Sequence, residues 1–173
     1  MNTLDTMRSR RSIRKFTDQV PSKELVDKVA EAGTWAPSGM NRQPAVILAV
    51  TNPDMVALLS QENAKVMGKT DIDPFYGAPV VLCVLAAKSS PTHVYDGSLV
   101  MGNMLNAAHE LGLGACWIHR CKEVFAGDAG RDILKGLGLD PDEYEGIGNC
   151  ILGYPADGGR DIHPKENYVY HID

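Results

Sequence analysis

Residues 79–87, reading PVVLCVLAA, constrain this chain more than any other stretch. Successive side chains of an extended strand point to opposite faces, and here both sets are apolar, so both faces need cover. Residues 46–50 form a second continuous, β-branched run, and 115–118 and 147–152 read as two further strands. The cover has to come from the segments between them. Ser22 caps a helix with Glu24 in its first turn and Leu25, Val26, Val29, Ala30 and Gly33 at helical spacing. Pro53 opens another, carrying Met55, Val56, Leu58 and Leu59, and the periodicity fades from 62 to 77. Residues 96–111 are apolar on most faces, as a core or interface helix would be, with Gly112 as its left-handed cap. A short helix over residues 3 to 8 or 9 and another over 132–137, ending at Gly138, complete the order α, α, β, α, β, α, β, α, β. That is an α+β chain: a small central sheet with helices on its faces.

Composition narrows the classes of function. The 173 residues suit a single domain, 1–173, whose polar, turn-rich segment 156–173 reads as a C-terminal arm. Residues 168–172 have strand character and need a partner edge, in this chain or on another subunit by exchange of arms. A net charge of −5 without a long basic run argues against nucleic acid as partner. No apolar stretch is long enough to span a bilayer, and the charged N-terminal residues 1–11 lack the apolar core of a signal peptide. Cys83, Cys116, Cys121 and Cys150 follow no disulfide framework, which fits a reduced cytoplasmic protein.

Three stretches could carry chemistry. Arg10, Arg11, Ser12 and Arg14 place three guanidinium groups and a hydroxyl within five residues, a set able to grip phosphate bidentately. A solvated basic turn explains the same spacing equally well, and other basic residues meeting the cluster, Arg160 or Lys165, would favour phosphate. The turn Pro37-Ser38-Gly39-Met40-Asn41, with Gln43 beyond it, offers hydroxyl and amide groups beside a glycine. Cys116, Trp117, Ile118, His119 and Arg120 form a strand end. Cys116, His119 and Cys121 lack a fourth ligand at zinc spacing, so no metal site is expected. Phe75 and Tyr76 either wall a pocket or pack under a loop.

The strings RRSIRKF, APSGMNRQP, GAPVVLCVL, NMLNAAHELGLGACWIH and ILGYPA resemble, in this order, the sequences of FMN-dependent nitroreductases. The similarity runs from about Arg8 to about Tyr170. It implies a central, mainly antiparallel sheet flanked by helices and an arm-exchanged homodimer with FMN at the interface. It also implies a ping-pong oxidoreductase that takes hydride from NADH or NADPH and reduces nitroaromatic, quinone or related acceptors. Other flavin reactions on the same fold, dehalogenation or enal reduction, and a non-catalytic flavin-binding redox sensor, stand as alternatives.

Carried over residue by residue, the resemblance assigns Arg10, Arg11 and Ser12 to the phosphate and ribityl chain, and Arg14 to the pyrimidine edge of the ring. A fixed cation at that edge favours the reduced coenzyme. Pro37, Ser38, Gly39, Asn41 and Gln43 reach the coenzyme from the partner. Trp117, Ile118 and the His119 backbone amide border the flavin N5. Phe75, Tyr76 and Arg120 are assigned to the substrate side. Two positions depart from the family pattern. His119 and Arg120 stand where small or acidic residues are usual, which predicts anionic acceptors or a phosphorylated nicotinamide. Pro164 breaks the expected basic pair near the C-terminus, leaving Lys165 and Arg160 to serve the phosphate.

Overall fold

The computed structural model describes residues 2–173; Met1, at the head of the charged N-terminal segment, lies outside them. Four strands, β1 (Ala45–Val50), β2 (Val80–Ala87), β3 (Gly114–Ile118) and β4 (Tyr144–Gly153), form one sheet in the order β1-β2-β4-β3. Every neighbouring pair is antiparallel. The apolar run of β2 lies in the middle, and Val80 to Ala86 are fully buried. Its even-numbered residues, Val80, Leu82 and Val84, face a core built with Val26 and Val29 of α2 (Lys23–Thr34) and Met101 and Met104 of α4 (His93–Glu110). Its odd-numbered residues, Val81, Cys83 and Leu85, face a second core containing Leu59 of α3 (Pro53–Val66), Phe125 of α5 (Cys121–Ala126) and Leu134 of α6 (Asp128–Gly136). Two-sided apolarity thus means two-sided cover, although the sheet is antiparallel.

Helix starts follow local chemistry. Ser22 accepts from the Leu25 amide at 3.3 Å, and Asn52 accepts from Met55 at 3.0 Å with Pro53 in the first turn. α1 (Thr3–Ser9) is capped by Asn2 and tied to α4 through Thr6 and Glu110, 2.5 Å apart. Gly112 takes φ 75°, the left-handed cap the sequence called for.

The structure corrects the sequence reading in several places. α3 continues through residues 62–66, where the apolar pattern fades, because its buried face turns polar: Ser60 and Asn63 are both buried and hydrogen-bonded. α5 is unforeseen; six residues are too few for a periodic signal. α6 begins at Asp128, four residues earlier than expected, and β4 begins at Tyr144. Residues 168–172 form no strand with the described residues of this single chain, and Tyr168, Tyr170 and Ile172 are largely exposed, so the edge expected for this arm would have to come from another subunit.

Where α4, α5 and β4 converge, the half-buried Glu145 carboxylate accepts from Lys122 at 2.9 Å and lies 3.6 Å from His93. The Lys122 ammonium holds the Glu145 carboxyl below its ordinary value of 4.5. A carboxyl lowered in the folded state contributes stability that is complete above its unfolded value and drains away as pH falls through the folded one. Glu145→Gln is therefore expected to be less stable than wild type at neutral pH, the difference shrinking as pH falls below the ordinary carboxylate value and the folded carboxyl protonates. Urea titrations at several pH values check this, and a difference that stays constant from neutral into strongly acidic pH would refute it.

Candidate functional site

The Arg10–Arg14 segment lies against the outer edge of β3. Ser12 forms a parallel bridge with Ala115, and the Ile13 amide donates to the Ala115 carbonyl at 3.0 Å. Ile13 is buried against Gly114, which turns its neighbours in sequence the other way. Arg10 is half-buried, and its Nη1 is fully buried with no hydrogen-bond partner. A buried guanidinium nitrogen without an acceptor is costly, and one in this position is suited to an anion. Arg11 is spent locally: its Nη1 donates to the carbonyls of Arg8 at 2.9 Å and Arg10 at 2.7 Å, closing the end of α1.

Beyond Gly153 the chain folds back over this segment. Ala156 donates to the Lys15 carbonyl, Lys15 pairs with Asp157 at 3.4 Å, and Gly159, at φ 79°, passes so near Arg11 that a Cβ would stand 2.8 Å from the Arg11 Cβ. The result is a cavity of about 670 Å³ lined by Ser12, Arg14, Lys15, Tyr76, Asp157 and Arg160. Of the two basic tail residues, Arg160 meets the Arg cluster and Lys165 does not; Lys165 sits 4.4 Å above the Tyr168 ring. Arg14 lies 6.0 Å from the Tyr76 ring centre. Tyr76 is held outward at φ 54°, while its neighbour Phe75 is 1 % exposed and packs in the second core. Asp73 fixes that turn by accepting from the Phe75 and Gly77 amides and from Ser60.

The other end of β3, Ile118, lies three residues past the Ser12–Ala115 bridge, roughly 10 Å at strand rise, and His119 and Arg120 follow it. There His119 is exposed, and Arg120 stands at φ 70° with its Nε donating to Asn63 Oδ1 at 3.0 Å. Asn63 Nδ2 donates to the His119 carbonyl at 2.7 Å, so one fully buried amide clamps both residues. Sequence reasoning missed Asn63, because an isolated Asn on an amphipathic helix carries no signal by itself.

The turn after α2 is rigid. Met40, Asn41 and Gln43 all have φ between 50° and 53°, a conformation that non-glycine residues rarely hold unless their surroundings enforce it. Here the Ser38 hydroxyl accepts from the Gln43 amide at 3.0 Å, Gln43 donates to Asn41 at 3.1 Å, and the buried Asp96 accepts from the Gly39 amide at 2.9 Å and from Thr92 at 2.8 Å. Gly39 is required, since a Cβ would collide with Thr92 Oγ1. Pro37, Ser38 and Gln43 line a separate cavity of about 680 Å³ beside α2, so within one chain this turn and the Arg cluster border different hollows. Exposed Trp35 and Met40 flank it. The anchors Thr92 and Asp96 were also missed.

The cysteines take no part in the site. All four are buried and free, and burial pushes the Cys150 thiol up to about 12 and the Cys121 thiol well above its ordinary value. Among the described residues no group of three His, Cys, Asp or Glu side chains could hold a metal ion, and no helix is long and apolar enough to cross a membrane.

An antiparallel sheet clad in helices on both faces, with an arginine-lined cavity along one edge, defines the α+β architecture of this chain. The model of the nitroreductase family matches residues 7–154, and the chain belongs to that family. A Methanothermobacter thermautotrophicus protein named as an NADH dehydrogenase/NAD(P)H nitroreductase is 30% identical over 167 residues, covering 94% of this chain and 83% of its own. Among solved structures, a Desulfitobacterium hafniense nitroreductase with bound FMN superposes at TM-score 0.87 with 26% identity over the whole of both chains. A Bacteroides fragilis nitroreductase with bound FMN shares the fold at TM-score 0.89, also end to end, with 24% identity.

Proposed function

We propose that this protein is an FMN-dependent oxidoreductase that moves electrons from NADH or NADPH to nitroaromatic, quinone or related acceptors. One observation carries the reading: Arg10 Nη1, buried and without an acceptor, at the head of the basic strip on β3. A phosphate there would satisfy that nitrogen and find Ser12, Arg14 and Arg160 around the adjoining cavity. Arg11 would contribute charge and the shape of the segment, its side chain being committed to α1. When bound, FMN supplies the capacity to accept two electrons from a reduced nicotinamide and pass them on.

The chain's own residues do the rest. Arg14, braced by Tyr76, would set a cation at the ring's pyrimidine edge. Trp117, Ile118 and the His119 amide would border the flavin N5 at the strand end that Asn63 fixes, the amide as donor. The rigid 37–43 turn would reach the coenzyme of a second copy with Pro37, Ser38, Gly39, Asn41 and Gln43, which accounts for its lying on a different hollow within one chain. Residues 156–173 would act as an arm in that homodimer, burying Tyr168, Val169, Tyr170 and Ile172 on the partner. Tyr76 borders the substrate side; Phe75 supports it from the core. Four free thiols fit a cytoplasmic setting.

The test is the colour of the purified protein. A yellow spectrum whose chromophore, released by denaturation, is FMN at about one per chain is expected, with rapid anaerobic bleaching by NADH or NADPH. A colourless protein that does not take up FMN overturns the proposal, and a yellow protein that bleaches slowly or not at all would be a sensor. One site serving donor and acceptor in turn predicts parallel double-reciprocal plots; intersecting lines would exclude the shared site.

A further inference from the structure

The site at the end of β3 holds a second basic device that the coenzyme reading leaves unused. Arg120 is half-buried in the left-handed region at φ 70°, a strained position for a long side chain. Its guanidinium is fixed on one side alone, by Nε donating to the buried Asn63, and Asn63 is itself oriented by its bond to the His119 carbonyl. Asn149, also buried, lies 3.5 Å from the carbonyls of Ile118 and His119 and braces the same turn. Arg120 is in no ion pair, and neither Nη has a hydrogen-bond partner among the described residues. These nitrogens are not fully buried either, since Arg10 Nη1 is the one buried, unpartnered side-chain nitrogen or oxygen in that set.

A guanidinium held through Nε presents its outer edge, Nη1 and Nη2, as a planar fork, and that edge matches the two oxygens of a carboxylate or a phosphate. We propose that Arg120 is the anion subsite of the reacting molecule, binding an oxyanion carried either by the electron acceptor or by the nicotinamide donor. This rests on the flavin reading, because it is the flavin that would bring those molecules to the end of β3. Asn63 is the positioning residue: it pins the fork at the cost of a strained backbone.

The experiment uses the holoprotein and two variants. Asn tolerates the left-handed region, so Arg120→Asn should fold, and Arg120→Lys keeps the charge but loses the fork. In Arg120→Asn the ratio of kcat/KM for 4-nitrobenzoate to that for 4-nitrobenzyl alcohol should fall roughly 10- to 100-fold, mostly through KM, with Arg120→Lys between. If the oxyanion belongs to the donor, that ratio holds and the NADPH-to-NADH ratio falls by a similar factor. Calorimetry with benzoate and inorganic phosphate adds a readout without turnover: wild type should take up at least one of them and Arg120→Asn neither. Both kinetic ratios within twofold of wild type, with unchanged heats, overturn the subsite. A colourless protein whose anion uptake still vanishes in Arg120→Asn would sink the flavin reading and leave the subsite standing.

Discussion

Replacing Arg10 with alanine is expected to weaken FMN binding by about 30- to 1,000-fold while leaving the flavin-free protein as stable as before or more so. The two halves have one cause. In the folded chain Arg10 Nη1 is buried without an acceptor, so folding strips water from that nitrogen and returns no hydrogen bond for it. Cutting the side chain back removes that debt. With phosphate in place the balance reverses: losing a charge-assisted contact in a desolvated site costs about 2–4 kcal/mol, which is the fold-change given. Arg10→Lys should fall between, since an ammonium keeps the charge and cannot reproduce the fork. Fluorescence titration with FMN and melting curves with and without it measure both halves. An unchanged affinity together with a lower melting temperature of the flavin-free protein would make Arg10 a structural residue.

Three arginines in five residues suit a phosphate grip and a solvated basic turn equally well, and nothing in that spacing distinguishes Arg10, whose Nη1 is buried without a partner, from Arg11, whose guanidinium closes the end of α1. That division depends on where α1 ends and on which carbonyls it leaves exposed. Arg160 and Lys165 part at Gly159 and the Lys15–Asp157 pair, which fold the tail back early enough for Arg160 to line the cavity beside Ser12 and Arg14 while Lys165 stays outside that lining. The residues that hold the site, Asn63, Asp73, Thr92 and Asp96, were invisible for a common reason. Each is a short polar side chain whose value lies in a few specific hydrogen bonds, long-range for Asn63 and Asp96 and mostly within a turn for Asp73 and Thr92, and periodicity does not register such bonds.

The fold was legible where burial follows a repeat. Both faces of β2, the buried face of α2 and the α4 cap are consequences of local pattern, and they came out as read. The failures fall where tertiary contact overrides pattern. The last turn of α3 carries Asn63 on its inner face to serve the β3 end, and α5 is short and stands on another element's glycine.

That glycine gives the second large effect: Gly146→Ala is expected to lower stability by about 3 kcal/mol and the melting temperature by roughly 6–12 °C. β2 and β4 lose register between Val84 and Leu85, so that Ile147 is an extra residue flanked by Gly146 and Gly148. The Ile147 side chain crowds onto Gly97 of α4, while Gly146 admits the backbone of α5: a Cβ at 146 would strike the Cys121 carbonyl carbon and oxygen and lie 2.8 Å from the Lys122 amide nitrogen. These obstacles are backbone atoms, so no rotamer change relieves them and α5 has to move. Its first residue follows Arg120, and the Val124 amide closes the helix on the Arg120 carbonyl, so the displacement passes to the turn that Asn63 clamps. Gly146→Ala should therefore raise KM for anionic acceptors as well as lower the melting point. Gly136→Ala, at the exposed end of α6 with open space around its Cα, serves as the control and should leave both nearly unchanged. Thermal melts and acceptor kinetics on the two variants decide it: equal melting points would mean that the α5–β4 contact yields more easily than its geometry allows.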